Sequence, residues 1–254
     1  MELTERIAAL DSTLFDAIGT ETTENDRKSL LALHQACADL GDGFTYLEIG
    51  SHLGGSLQIL IRDPRCQRIV SIDPRPFRQP DARGRRWTYR DNSTARMRGN
   101  LAAVPGADMS KLETIDASTE AIDPAAIDAR PALCFVDGEH TDEAVLRDAR
   151  FSRRVLADSG WLAFHDAGIV YHGLTAFLDE VQVAGADHRT YFLPDSILVV
   201  ELGEARLLKT TQVFEQIIGN AEGYLWTLRE NDMFRAALSR PLSKVLRRAR
   251  LIRV

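Results

Sequence analysis

"FTYLEIGSHLGGS", residues 44–56, changes character at Gly50, and that change governs how the rest of the chain is read. An apolar run suited to a buried strand passes one acid, Glu48, and enters a glycine- and serine-rich turn. A buried strand has reason to stop at a turn. It has none to stop at an acid, unless the acid meets water, a metal or a ligand. The same ending recurs in "RIVSIDP", "KLETIDA", "ALCFVDG" and "WLAFHDA", which close on Asp73, Asp116, Asp137 and Asp166.

Helix-like segments lie between these runs, around residues 25–40, 55–62, 93–103, 141–157 and 172–184. Such alternation predicts βαβ units and a parallel sheet covered by helices. The late run "TYFLPDSILVVEL" has two strand-like halves joined by Pro194, Asp195 and Ser196, the signature of an antiparallel hairpin. The predicted fold is α/β: a doubly wound, mostly parallel seven-stranded sheet with an antiparallel edge hairpin. Residues 74–92, "PRPFRQPDARGRRWTYRDN", hold three prolines and six arginines without strand or helix periodicity, and read as a long loop after the second strand. Arg85 and Arg86 within it suggest an acidic or phosphorylated substrate.

At 254 residues the chain suits one large domain. The expected organisation is N-terminal helices forming a cap over 1–43, a core over 44–202, and a C-terminal helical extension over 203–254. Apolar content of 44% and charged content of 27% are ordinary for a globular protein, no apolar run approaches a membrane span, and no secretory leader is visible. A cytoplasmic location is expected. Cys37, Cys66 and Cys134 lack Cys-x-x-Cys spacing and read as reduced packing residues. The net charge of −6 is uneven, because seven basic residues and no acid follow Asp232, leaving about −13 before them. A uniformly basic nucleic-acid binder is thereby excluded. The tail "RPLSKVLRRARLIRV" sets Leu242, Val245, Leu246, Ala249 and Ile252 on one helical face. It suits peripheral contact with an anionic membrane, or packing on a second subunit of a homo-oligomer.

In open parallel sheets ligands bind outside the carboxyl ends of the strands, near the point where strand order reverses. A dinucleotide fingerprint would need glycines at 50, 52 and 55, yet position 52 is histidine, and Glu48 would repel a diphosphate. The chain also has no Tyr-x-x-x-Lys pair. A cationic, phosphate-free nucleoside fits better. Asp73, 23 residues past Gly50, stands near the offset at which an acid reaches ribose hydroxyls. S-adenosylmethionine has that ribose, a sulfonium and an amino group.

At these residues the chain resembles the class I S-adenosylmethionine-dependent methyltransferases, which have a Rossmann-like fold. Glu48, Gly50 and Gly54 match the acid and Gly-x-x-x-Gly of the family's first motif, and "GSHLGGS" looks like the version in catechol-type O-methyltransferases. The resemblance implies that Glu48, Gly50, Ser51, Gly54 and Ser56 line the donor site with Asp137. It places Asp73 on the ribose and Asp116, Ala117 and Ser118 against adenine.

Asp137 precedes the pair His165 and Asp166 by 28 and 29 residues, with a helix between, so a βαβ unit brings Asp137 and Asp166 side by side. Metal-dependent O-methyltransferases of the catechol and macrolide-sugar types have metal ligands at this spacing and a general base three residues after the first. The resemblance therefore implies Asp137, His165 and Asp166 as metal ligands and His140 as the catalytic base. Magnesium suits two carboxylates with waters. However, the catechol type has an Asp-Asn pair and the macrolide-sugar type a Glu-Asp pair where this chain has His165-Asp166, and nitrogen favours manganese, iron or zinc.

The expected function is divalent-metal-assisted O-methylation of a hydroxyl on a sugar, glycoside, phenol or other small natural product. The alternatives are a nucleoside-binding module without turnover and a metal-dependent hydroxylase on the same scaffold. Glu139, His52, Tyr171 and His172 are secondary candidates around the site.

Overall fold

The computed structural model describes residues 2–217 and 221–238. Its helices are α1 (Leu3–Ala8), α2 (Glu24–Ala38), α3 (Thr94–Ala102), α4 (Asp142–Val155), α5 (Tyr171–Val183), α6 (Thr211–Phe214) and α7 (Ala221–Leu238). The strands are β1 (Phe44–Ile49), β2 (Cys66–Ile72), β3 (Arg78–Pro80), β4 (Arg86–Thr88), β5 (Leu112–Ile115), β6 (Leu133–Val136), β7 (Gly160–Phe164), β8 (His188–Phe192) and β9 (Leu198–Leu202). One sheet of seven strands runs in the order β5-β2-β1-β6-β7-β9-β8. The first five are parallel, whereas β9 is antiparallel to both β7 and β8. This is the doubly wound sheet with an antiparallel edge that the hydrophobic pattern predicts.

Side chains alternate across the sheet as the two-residue strand period requires. Tyr46, Leu133, Phe135, Trp161 and Ala163 face one core with Leu31 and Leu33 of α2 and Met97 and Leu101 of α3. Leu47, Cys134, Val136, Leu162 and Phe164 face the other with α4, α5 and the start of α7. Residues 2–38 therefore do more than cap the ligand site, since Ile7, Leu14, Phe15 and Leu31 belong to the core that covers one sheet face. The three cysteines are buried and free. No helix among the described residues is long and apolar enough to cross a membrane.

Two segments differ from expectation. Residues 55–62 form consecutive turns instead of a helix. Here the buried Gln58 amide donates to the carbonyls of Phe15 and Ile18 and accepts from Ile18 N–H, tying the segment to the chain ahead of α2, and it also donates to the Gly55 carbonyl, an acceptor that a helix would use for its own backbone. Residues 74–92 contain a small antiparallel hairpin, β3 paired with β4. The basic tail over 240–254 lies outside the described residues.

Candidate active site

Strand register builds the site. Ile115, Ile72, Ile49, Val136 and Phe164 pair across five neighbouring parallel strands, so the residues that follow them, Asp116, Asp73, Gly50, Asp137 and His165, form the next row. Backbone bonds continue the pairing past the strand ends, from Gly50 N to Ile72 O (2.8 Å), Asp137 N to Ile49 O (2.9 Å) and His165 N to Val136 O (3.0 Å). The order reverses between β1 and β6, and a cavity of about 330 Å³ opens at this edge. Register places His165, not Asp166, beside Asp137. The sequence reading paired the two acids, which stand one residue out of step.

On the β1–β2 side, Gly50 has φ +93°, and a Cβ there would collide with the backbone carbonyl of Asp137. Asp73 is buried and accepts from His52 N–H (2.9 Å) and Arg75 N–H (2.8 Å), with the Arg75 guanidinium 3.1 Å away. Arg75 also donates to the His52 carbonyl, which ties the turn after β2 to the turn after β1.

Glu48 sits behind the cavity, bonded by Tyr46 Oη (2.6 Å) and Ser56 Oγ (2.5 Å). Burial pushes its carboxyl up to about 7 against those bonds. Gly50, Ser51, Ser56, Asp73 and Asp137 line the cavity. By contrast, Glu48, Gly54, Asp116, Ala117 and Ser118 stand outside its lining. Gly54 packs near Leu101 and Met97, and Asp116 accepts from Thr94 Oγ1.

On the β6–β7 side four side chains converge. His165 Nδ1 lies 3.1 Å from Asp137 Oδ1 and 3.8 Å from Asp166 Oδ2. His140 places Nε2 3.3 Å from Asp137 Oδ1 and Nδ1 3.5 Å from Asp166 Oδ2. Ligand atoms of Asp137, His140 and His165 all fall within 4.8 Å of one another. Asp166 adopts φ +52°, unusual for a residue with a side chain.

Burial opposes a charge on His165, but Asp137, Asp26 and Asp166 outweigh it and push the imidazole up to about 11. Burial likewise opposes the Asp137 carboxylate, and the two histidines overcome it, holding that carboxyl well below its ordinary range. His140 is raised above its ordinary value, burial again opposing while Asp137 and Asp166 prevail.

Asp26 has no counterpart in the sequence reading. It lies in the first turn of α2, where it closes a capping box with Thr23, and is buried. Its Oδ2 is 3.3 Å from His165 Nε2 and its Oδ1 accepts from Ser196 Oγ at 2.9 Å. His165 is thus held from behind through Nε2 while Nδ1, buried and without a hydrogen bond among the described residues, points into the cluster. A carboxylate bonded to the far nitrogen of an imidazole fixes the ring for ligation by the near one. Nothing local in the sequence marks Asp26 for a site 139 residues away. Of the secondary candidates, His52 lines the cavity, while His172 Nε2 contacts Asp232 at 3.2 Å.

Residues 47–167 match a family model described as a methyltransferase domain. With the sheet order and the strand-end row, that match identifies a methyltransferase domain over residues 47–167. The chain is 24% identical over 128 residues to an uncharacterized protein, R132, of Acanthamoeba polyphaga mimivirus, a match covering 49% of this chain and 52% of that one. It thus spans about half the length of the curated relative it matches. Among solved structures, the O-methyltransferase NovP superposes with TM-score 0.57 at 12% identity, covering 80% of this chain and 97% of that one. The calicheamicin methyltransferase CalS11 superposes with TM-score 0.52 at 18% identity, covering 79% and 93%. An apo structure of CalS11, described as a TDP-rhamnose 3'-O-methyltransferase, gives 0.50 at 17% identity, covering 79% and 94%. At these identities the likeness concerns the fold.

Proposed function

We propose that the chain is an O-methyltransferase that moves the methyl group of S-adenosylmethionine to a hydroxyl of a sugar, glycoside or other small natural product, assisted by a divalent cation. The convergence of Asp137, His140, His165 and Asp166 on a cavity bounded by Gly50 and Asp73 carries this reading.

The residues suit the donor. Gly50 lets the β1 turn run against the end of β6 without a side chain. Each oxygen of Asp73 accepts one backbone N–H, and a carboxylate has further lone pairs for ribose hydroxyls. In the reaction the acceptor oxygen attacks the methyl carbon, the carbon–sulfur bond breaks with its electron pair returning to sulfur, and the hydroxyl proton leaves to His140. The products are the methyl ether and neutral S-adenosylhomocysteine. Asp137 and Asp166, on either side of the ring, hold it in place and stabilise the imidazolium.

The cluster also suits a cation, because three acids, Asp26, Asp137 and Asp166, surround two imidazoles, and the buried His165 Nδ1, 3.1 Å from Asp137 Oδ1, makes no hydrogen bond among the described residues. Asp137 and His165 would hold the ion, with Asp166 and His140 adjacent, and the nitrogen donor favours manganese, iron or zinc over magnesium. When bound, such an ion lowers the pKa of an attached hydroxyl and disfavours protonated imidazoles beside it.

Calorimetric titration of S-adenosylmethionine, with and without manganese or magnesium and beside an Asp73→Ala control, tests the reading. Binding lost in the control supports it, and an intact protein that does not bind the donor sinks it. A second reading, a metal-dependent hydroxylase, draws on the two histidines and one carboxylate that can meet at one ion. It would be favoured if iron(II) and a reductant produced acceptor-dependent dioxygen consumption while no methyl transfer occurred.

A further inference from the structure

The hairpin of β3 and β4 takes no part in the chemistry above, yet Arg83, Arg85, Trp87 and Tyr89 line the same cavity as His140 and Asp166. We propose that it is the specificity element of the site, and that it binds an anionic group, phosphate or carboxylate, carried by the acceptor whose hydroxyl is methylated. The inference rests on the methyltransferase reading for what the cavity does, and on the hairpin alone for what it binds.

The tip is a built device. Asp81 is buried although it stands in a hairpin turn, closed by Asp81 N to Arg85 O (3.0 Å) and Gly84 N to Asp81 O (2.9 Å). Its carboxylate accepts from Arg83 N (2.7 Å), Arg83 Nε (3.0 Å), Arg83 Nη2 (2.7 Å) and Trp87 Nε1 (3.0 Å). One acid therefore orients a guanidinium and an indole together, which a solvated loop has no reason to do. The device is also tied to the reaction centre, because Ala82 N–H donates to the His140 carbonyl at 2.7 Å. Tyr89 meets the His52 ring edge-on at 5.0 Å between centroids, joining the hairpin to the turn after β1.

The chemistry of the lining names the ligand class. Arg83 commits Nε and Nη2 to Asp81, leaving further N–H donors of its five. Among the described residues the Arg85 guanidinium makes no hydrogen bond or ion pair, although it lines the cavity. Two guanidinium groups lining one cavity match the oxygens of phosphate or carboxylate, and Trp87, 42% exposed, adds an apolar ring to the same lining. Away from the hairpin the same cavity is lined by Asp137, Asp166, His140 and His165. The cavity is thus polarised, with an anion seat at the hairpin and a hydroxyl seat at His140, and an acceptor carrying both groups enters in one orientation.

The test is calorimetric titration of the full chain, in EDTA so that no cation bridges the anion, with pyrophosphate, glucose 1-phosphate, glucuronate and neutral methyl glucoside. Preference for the phosphates or for glucuronate over the glucoside supports the proposal and identifies which anion is read. In an Arg83→Gln, Arg85→Gln double variant the preferred anion should bind about tenfold more weakly or worse. Arg86→Gln, outside the cavity lining, should leave affinity unchanged. Failure of all three anions to bind at millimolar concentration, equal binding of the neutral glucoside, an unaffected double variant, or an equal loss in Arg86→Gln would each overturn the proposal. S-adenosylmethionine is titrated into the same samples. Intact donor binding with no anion binding refutes the hairpin alone, whereas anion binding without donor binding refutes the methyltransferase reading and leaves the anion seat standing.

Discussion

His34 and His165 are both buried and both touch aspartate, yet burial and charge resolve differently at the two sites. His34 Nε2 lies 2.7 Å from Asp63, just ahead of β2, but the Asp63 carboxylate is also gripped by Arg65 through Nε (2.9 Å) and Nη2 (2.6 Å). Burial lowers the His34 pKa more than the bond and charge of Asp63 raise it, and the charges of Arg65 and Lys111 add to the lowering. His165, equally enclosed, faces Asp137, Asp26 and Asp166, none of which carries an arginine, and its pKa rises to about 11. With Asp63 buried and paired with Arg65, the first cluster is built to hold the fold. The second has more acids than cations and opens on a cavity, which is how a site for a cation or a proton transfer is built.

The largest expected contrast comes from removing the central acid of each cluster. Asp137→Ala should lower methyl transfer by about 10²–10⁴-fold, while Asp63→Ala should leave turnover per folded molecule intact. Conversely, Asp63→Ala should cost about 3–5 kcal/mol in urea unfolding, because His34 and Arg65 lose a buried partner. Greater destabilisation by Asp137→Ala would break the comparison.

Asp26→Asn comes next. It keeps the shape but weakens the hold on His165, and should reduce manganese affinity about 10–100-fold in calorimetry with donor affinity unchanged.

A third effect separates the clusters by pH in metal-free protein. His165 is raised from 6.5 to about 11, so its stabilisation is complete below 6.5 and is lost as pH rises toward about 11; a His165→Gln variant should flatten that limb of the stability profile. For Asp63, burial opposes ionisation but the bonds from His34 and Arg65 prevail. The carboxyl is lowered, and its contribution, about 2 kcal/mol or more, should disappear as pH falls below about 4. The smallest effect is that of Ser196→Ala, which removes one bond to Asp26 and should cost about 1 kcal/mol in unfolding free energy.

The strands and their terminal acids were legible because each is a short apolar run with a local stop, and Asp73, Asp116 and Asp137 directly follow β2, β5 and β6. The hairpin was not legible. Its strands are three residues each, too short for an alternating pattern, and Asp81 sets their turn by collecting donors from Arg83 and Trp87. Nor was the loss of helix at 55–62, where Gln58 answers to Phe15 and Ile18, about 40 residues away. Placing Asp137 beside Asp166 was nearly correct, but in a parallel sheet one residue of register exchanges the neighbour, and His165 stands there.

The sequence by itself determined the alternation of strand and helix, the row of acids at one sheet edge, and the glycine turn that a methyltransferase domain needs. These are local properties, encoded in residue period and in where apolar runs stop. Tertiary structure alone decided that Asp26 stands behind His165, that His34 closes on Asp63, and that Asp81 aims two side chains into the cavity. Hydrogen bonds and charges act over a few ångströms of space whatever the separation along the chain, so a pair such as Asp26 and His165, 139 residues apart, leaves no mark in any local pattern.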